Sequence, residues 1–255
     1  MPPRIALSLA LFAAVASAYP ACGQSPAPNP STAPAKVRIV LVGDSTVNSG
    51  GGWGSAFCAR FAPSVACINA ARNGRSSKSY YDEGLWKAAL EQHGDYILIQ
   101  FGHNDMPGKG LARETDPQTS YAANLRRYIQ EARAAGARPV IVTSLSRRSY
   151  RDGKLVLDLE AYAAAARRVA TEEKVVLIDL NEESVNLLQG MTQEQADQFD
   201  AEAHPDATGN PGPDRTHLNA AGAAVFARIV ASDLSRVCPE LAPLIDVAPQ
   251  ITRKP

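Results

Sequence analysis

An α/β domain built on a parallel sheet with helices on both faces is the fold class that this sequence predicts, and three observations predict it. Five short apolar stretches read as strands: Val37–Val42, Val65–Asn69, Tyr96–Phe101, Pro139–Thr143 and Val175–Leu180. Helical patterns separate most of them, a pace that implies right-handed βαβ units. In Val37-Arg38-Ile39-Val40-Leu41-Val42 only Arg38 is polar, which is the pattern of a strand buried on both faces.

Before the first strand, Arg4 and the apolar run Ile5–Val15, followed by Ala16-Ser17-Ala18, have the form of an export signal spanning residues 1–18. The run is too short to span a bilayer. Residues 19–35 are rich in Pro, Ala and Ser and read as an extended linker. The folded domain is expected over residues 36–255. Secretion or a periplasmic location follows. Lipid attachment through Cys22 is the alternative, although Tyr19-Pro20-Ala21 resembles a lipoprotein box poorly.

The first strand ends in Gly43-Asp44-Ser45-Thr46, and Val47–Gly54 is a glycine-rich loop closing on Gly-Trp-Gly. Trp53 reads either as a sugar-stacking surface or as a plug onto the core. Ser55–Phe61 is a short helix. The second strand runs into the polar turn Ala70–Ser77, where Gly74 permits a backbone N–H to face a ligand. A helix over Asp82–Gln92, stopped by Gly94, leads to the third strand and then to Gly102-His103-Asn104-Asp105.

Lys109–Pro117 is a polar loop over the strand ends, and Gln118–Ala135 has helical spacing. Ser144–Tyr150 follows the fourth strand; its Arg147 and Arg148 read as a solvated loop or as a contact for a carboxylated sugar. Leu157–Glu173 is a helix, Asn181–Phe199 is helical with Gly190 dividing it, and Ala207–Pro213 is a loop. Asp214-Arg215-Thr216-His217-Leu218-Asn219 forms a turn or helix opening before a last helix, Ala220–Val237. The tail from Pro239 is expected to wrap the surface.

The formal charge of the 255-residue chain is zero, so nothing global points to nucleic acid or to an anionic membrane. No Cys and His residues have zinc-ligand spacing, so no structural metal is expected. Cys58 and Cys67 lie close across a helix-to-strand turn and would pair in an oxidising compartment. Buried free thiols fit the pattern as well, and spacing alone does not choose among the pairings of Cys22, Cys58, Cys67 and Cys238.

Ligands of open parallel sheets bind beyond the carboxyl ends of strands, and Ser45 stands there. It reads as a nucleophile or as a helix cap. An activated serine needs a histidine, and that histidine needs an orienting acceptor. Asp214 and His217, three residues apart, can share one face; His93 and His204 have no equally placed acid. Asn104 reads as a donor to developing negative charge or as a brace, and His103 and Asp105 as braces of its loop.

Taken together, Gly43–Thr46, Asn69–Gly74, Gly102–Asp105 and Asp214–His217, in that order, resemble the SGNH (GDSL-like) hydrolase superfamily over Lys36 to about Val237. The resemblance implies a three-layer α/β/α sandwich with a five-stranded parallel sheet. It also implies Ser45 as nucleophile, His217 as base and Asp214 as its orienter, with an oxyanion hole of the Ser45 and Gly74 N–H groups and the Asn104 side chain. Gly-Asp-Ser-Thr, Gly-Trp-Gly, Asn-Gly-Arg-Ser, Gln-Phe-Gly-His-Asn-Asp and Asp-Arg-Thr-His-Leu-Asn are similar to the rhamnogalacturonan acetylesterase branch. Ser45 lacks the G-x-S-x-G elbow of α/β-hydrolases.

The expectation is therefore a secreted, cofactor-free, monomeric esterase that removes acetyl groups from pectic or related polysaccharide, with Trp53 and Arg75 as weaker substrate contacts. A lipase or arylesterase on small acyl esters, and an inactive sugar-binding relative, are the competing readings.

Overall fold

The computed structural model describes residues 36–205 and 211–248. The expected export signal, the linker and Cys22 lie outside them. The central sheet has five parallel strands in the order β2-β1-β3-β4-β7: β1 Val37–Gly43, β2 Val65–Asn69, β3 Tyr96–Gln100, β4 Arg138–Val142 and β7 Val176–Ile178. Two antiparallel pairs stand apart from it, β5 Tyr150–Arg151 with β6 Lys154–Leu155 and β8 Asp200–Pro205 with β9 Pro211–Leu218.

Successive side chains of a strand point to opposite faces, and here both faces are covered. Ile39 and Leu41 of β1 and Val140 and Val142 of β4 pack against helix α1 (Gly54–Cys58) and helix α8 (Ala220–Val237) through Phe57, Phe226, Val230 and Leu234. Val40, Val42, Ile97 and Ile99 face the other layer. That layer comprises α2 (Ser77–Asp82), α3 (Leu85–Leu90), α4 (Ser120–Ala134) and α5 (Glu160–Glu172). Its core residues include Trp86, Leu125, Tyr128 and Val169. Each fully buried side chain of this size contributes roughly 1.5–3 kcal/mol. Helices α6 (Leu180–Leu188) and α7 (Gln193–Asp197) complete the chain between β7 and β8. No helix among the described residues is long and apolar enough to cross a membrane.

Four local readings change. The helix expected over Asp82–Gln92 is two helices, because Gly84 takes a left-handed φ of 75°. The turn before it hides a helix start: Ser76 and Ser79 form a reciprocal capping box that opens α2. Asp214–Leu218 belongs to strand β9 rather than to a turn or helix opening. The tail from Pro239 is a 3-10 helix to Leu244 that buries Leu241, and Ile245 bridges to Phe61.

Of the cysteine pairings left open by sequence, the structure contains Cys58–Cys67, which joins the end of α1 to β2; Cys238 is free and buried.

Candidate active site

β1 and β3 are neighbours, but the chain leaves β1 for β2 on one side and returns to β3 on the other. A crevice opens beyond such a switch point, and it receives Ser45 after β1 and Asn104 after β3. The Ser45 turn is built from its own polar residues. Val47 N–H and Asn48 N–H donate to the Asp44 carbonyl at 3.2 and 3.1 Å. The Asp44 carboxylate accepts from Thr46 N–H and Oγ1 at 2.8 and 2.7 Å. Gln100 of β3 donates to Thr46 Oγ1 at 2.7 Å and accepts from Trp53 Nε1 at 3.0 Å.

Trp53 therefore is not a sugar-stacking surface. Its ring is fully buried, packs edge-on against Phe57 and closes this polar relay.

Ser45 Oγ lies 2.7 Å from His217 Nε2, and His217 Nδ1 lies 2.7 Å from Asp214 Oδ2. An ionised carboxylate only accepts, so Nδ1 carries the proton toward Asp214 and Nε2 accepts from the serine hydroxyl. Asp214 Oδ1 also accepts the backbone N–H groups of Thr216 and His217 at 3.1 and 2.9 Å. Burial by itself would raise the Asp214 carboxyl; these hydrogen bonds and the facing imidazole outweigh it and hold the group below the usual carboxylate range. The strand is tied to the glycine-rich loop by Leu218 N–H donating to the Gly51 carbonyl at 2.8 Å.

On the other side of Ser45, Arg72 N–H donates to the Gly43 carbonyl at 2.9 Å, and Asn48 Nδ2 donates to the Ala71 carbonyl at 2.7 Å. These bonds bring the Gly74 turn against the serine turn. Gly74 takes φ 74°, a backbone state that strains any residue with a Cβ. The amides of Ser45 and Gly74 donate to no described residue, so both are free for a ligand. Asn104, 9% exposed, spends one amide hydrogen on the Arg75 carbonyl at 3.2 Å and keeps the other. Arg75 thus meets the site through its carbonyl. Its guanidinium turns away to Glu83 at 2.8 Å.

The residues flanking Asn104 are buried. His103 Nδ1 lies 3.5 Å from Asp44 Oδ2, linking the loops after β1 and β3. Burial pushes His103 below its ordinary value, against the pull of Asp44. Asp105 accepts from Ser77 N–H, Ser77 Oγ and Thr115 Oγ1 at 3.1, 2.5 and 2.9 Å.

The part that Arg148 plays behind His217 was not legible in the sequence. Far from meeting solvent or a sugar, Arg148 is fully buried, pairs with Asp200 and donates to the His217 carbonyl at 2.6 Å. Arg147 pairs with Asp158 at 2.6 Å and donates to Thr216 Oγ1 at 3.2 Å. Nothing in the sequence separates the two arginines; only the β8–β9 pairing buries one of them.

Residues 41–225 match the model of the GDSL-like lipase/acylhydrolase family. The chain is 33% identical over 215 residues to rhamnogalacturonan acetylesterase RhgT of Bacillus subtilis, covering 79% of this chain and 90% of that one. It is 38% identical over 156 residues to the probable rhamnogalacturonan acetylesterase YesY of the same organism, covering 58% and 72%. Among solved structures, B. subtilis protein YxiM superposes with a TM-score of 0.64 at 25% identity, over 78% of this chain but only 56% of that one. The acetylxylan esterase Axe2 of Geobacillus stearothermophilus gives 0.57 at 16% identity, over 78% and 96%, a likeness of fold alone. The chain belongs to the GDSL-like lipase/acylhydrolase family of carboxylic ester hydrolases, and is rhamnogalacturonan acetylesterase-like within it.

Proposed function

We propose that the protein is a secreted serine esterase that removes O-acetyl groups from plant cell-wall polysaccharide, with rhamnogalacturonan as its substrate. The observation that carries the chemistry is the unbroken line Ser45 Oγ–His217 Nε2–Nδ1–Asp214, with 2.7 Å at each link. Ser45 attacks the acetyl carbonyl while His217 takes its proton. The Ser45 and Gly74 N–H groups and the free Asn104 amide hydrogen meet the oxyanion. His217 then protonates the departing sugar hydroxyl, and water repeats the sequence on the acyl-enzyme to release acetate. Asp214 stays ionised and holds the imidazole tautomer throughout.

The pectic substrate is supported by the named activity of the two B. subtilis relatives. A small acyl group is supported by the walls of the site, which are polar turns. The exposed large apolar side chains among the described residues, Leu111, Leu157 and Val247, are scattered along the chain. Export is supported by the leader-like N-terminus and by the Cys58–Cys67 disulfide.

The test is acetate release from acetylated rhamnogalacturonan and from acetylated xylan, with Ser45→Ala in parallel. Release from the pectic polymer alone, abolished in Ser45→Ala, is the expected result. Equal release from both broadens the substrate. No Ser45-dependent acetate from either overturns the reading and leaves an inactive sugar-binding relative or an esterase for other acyl groups.

A further inference from the structure

The segment Lys109–Pro117, expected to be a polar loop, belongs to an ordered strap that begins at Met106. Thr115 N–H donates to the Asp105 carbonyl at 2.9 Å. The Tyr162 hydroxyl lies 2.9 and 2.7 Å from the Asp105 and Thr115 carbonyls and fastens both. At the far turn, Arg113 N–H and Glu114 N–H donate to the Gly110 carbonyl at 2.8 and 3.0 Å, and the Glu114 carboxylate accepts Gly110 N–H at 2.6 Å.

This folding carries Arg113 back to the site. Its Nε donates to the Lys109 carbonyl at 2.7 Å, and its Nη1 reaches the Gly74 carbonyl at 3.5 Å. A Cβ built on Gly74 would lie 3.9 Å from Nη1. The guanidinium therefore stands beside the Gly74 turn, whose amide is free for a ligand.

Three nearby cations are answered. Arg147 has Asp158 at 2.6 Å, and Arg75 and Lys78 have Glu83 and Asp82 at 2.8 Å each. Arg113 and Lys109 have no carboxylate within 4.0 Å among the described residues. Burial, and after it the charges of Arg147 and Arg113, hold the Lys109 ammonium below its ordinary value, with Asp158 a smaller opposing influence. Two half-buried cations that the fold leaves unpaired are stabilised by an anion supplied from outside.

We propose that Lys109 and Arg113 form a carboxylate subsite beside the oxyanion hole, and that it binds a uronate carboxylate of the acetylated chain. The inference rests on the esterase reading and deepens it. It makes the enzyme selective for acetyl groups on acidic polysaccharide over those on neutral xylan. Arg113 supplies a planar fork suited to a carboxylate, and Lys109 a mobile point charge.

The experiment compares kcat/KM on acetylated galacturonate oligosaccharides, on the same oligosaccharides with their carboxyls methyl-esterified, and on 4-nitrophenyl acetate. Lys109→Gln and Arg113→Lys are the variants, since the Lys109 ammonium holds no described residue and Arg113→Lys keeps the charge near Gly74. Binding of deacetylated oligogalacturonate to the Ser45→Ala protein, with and without Lys109→Gln, is measured by calorimetry. The ratio of acidic to methyl-esterified substrate should fall about tenfold in Lys109→Gln, through KM, with a matching loss of oligogalacturonate affinity. A fall of all three substrates together would assign Arg113 and Lys109 to holding the Gly74 turn and overturn the subsite. An unchanged ratio with unchanged oligogalacturonate binding overturns it too. Failure of the esterase reading looks different: no ester is hydrolysed in a Ser45-dependent way, while the calorimetry still decides whether the carboxylate binds.

Discussion

The Arg148 guanidinium, fully buried, donates from Nη2 to the backbone carbonyl of His217 at 2.6 Å while its Nε pairs with Asp200. The catalytic base proposed here is thus held from behind by a charge that never reaches solvent. The same residue ties further strands and loops: its N–H donates to the Arg215 carbonyl at 3.0 Å, and its carbonyl accepts from Gln193 Nε2 at 2.8 Å. Removing one partner of a buried ion pair leaves the other charge uncompensated, at a cost of about 3–5 kcal/mol. Arg148→Met should lower the unfolding free energy, read from urea melts, by that amount and reduce kcat in whatever folded protein remains. Asp200→Asn keeps a hydrogen-bond acceptor but leaves the buried Arg148 charge without its counter-ion, so it should destabilise the protein as well. Equal stability of Arg148→Met and the parent would remove Arg148 from any positioning role.

The line from Ser45 to Asp214 makes a second prediction that separates orientation from folding. In Asp214→Asn the Oδ1 that caps Thr216 and His217 N–H groups is retained, so the strand should keep its geometry. The oxygen that faces His217 Nδ1 becomes an amide donor and favours the wrong tautomer. By analogy with the serine-protease triad, kcat should fall on the order of 10⁴. Asn104→Ala should cost roughly 10²–10³, with KM nearly unchanged. Circular dichroism of each variant should overlay the parent; loss of the folded signal in Asp214→Asn would show that the carboxylate is structural first.

Asp105 sets a pH dependence. Burial raises its carboxyl from 3.8 to about 7, although hydrogen bonds from Ser77 and Thr115 pull it down. Below about pH 4 the folded and unfolded chains both hold this proton, and Asp105 contributes no slope. Between about 4 and 7 the unfolded chain releases the proton and the folded chain keeps it, so stability falls as pH rises, by up to roughly 4 kcal/mol in total. Asp44 and Asp214, whose carboxyls are held below 3.8, act in the opposite sense and lose stability only as pH drops through that lower range. Urea midpoints of the parent and Asp105→Asn, measured from pH 4 to 8, should converge at high pH or cross, with the slope absent in the variant. Parallel profiles would remove Asp105 as the source.

What was legible in the sequence follows from how local each signal is. Val37–Val42 carries its two-faced burial in consecutive residues, and Ser45, Asn104 and His217 each follow directly on a strand or sit beside their partner Asp214. Residues whose role depends on distant chain were not legible. Trp53 becomes a core residue because Gln100, 47 positions away, accepts its N–H. Arg148 is buried by a hairpin near residue 200, and Arg113 reaches Gly74 because of the fold of its strap. Helix α2 was hidden for another reason: the Ser76–Ser79 capping box has serine where glutamate or glutamine is the recognisable signal.

The Cys58–Cys67 disulfide gives the last prediction. It closes a loop with a sequence separation of 9 between the end of α1 and the edge strand β2. Closing a loop of this length removes unfolded-state entropy equivalent to about 2–3 kcal/mol. The double variant Cys58→Ser/Cys67→Ser should be less stable by that amount, and reductant should destabilise the parent without affecting the variant. Cys238 is buried at 1% exposure and has no disulfide partner among the described residues. β2 leads directly into the Gly74 turn, and the loosening should be local as well as global. Hydrogen exchange of residues 65–75 should accelerate more than that of β3. Uniform acceleration across both strands would mean that the disulfide acts only through the unfolded chain, with no part in holding the edge of the sheet where the site is assembled.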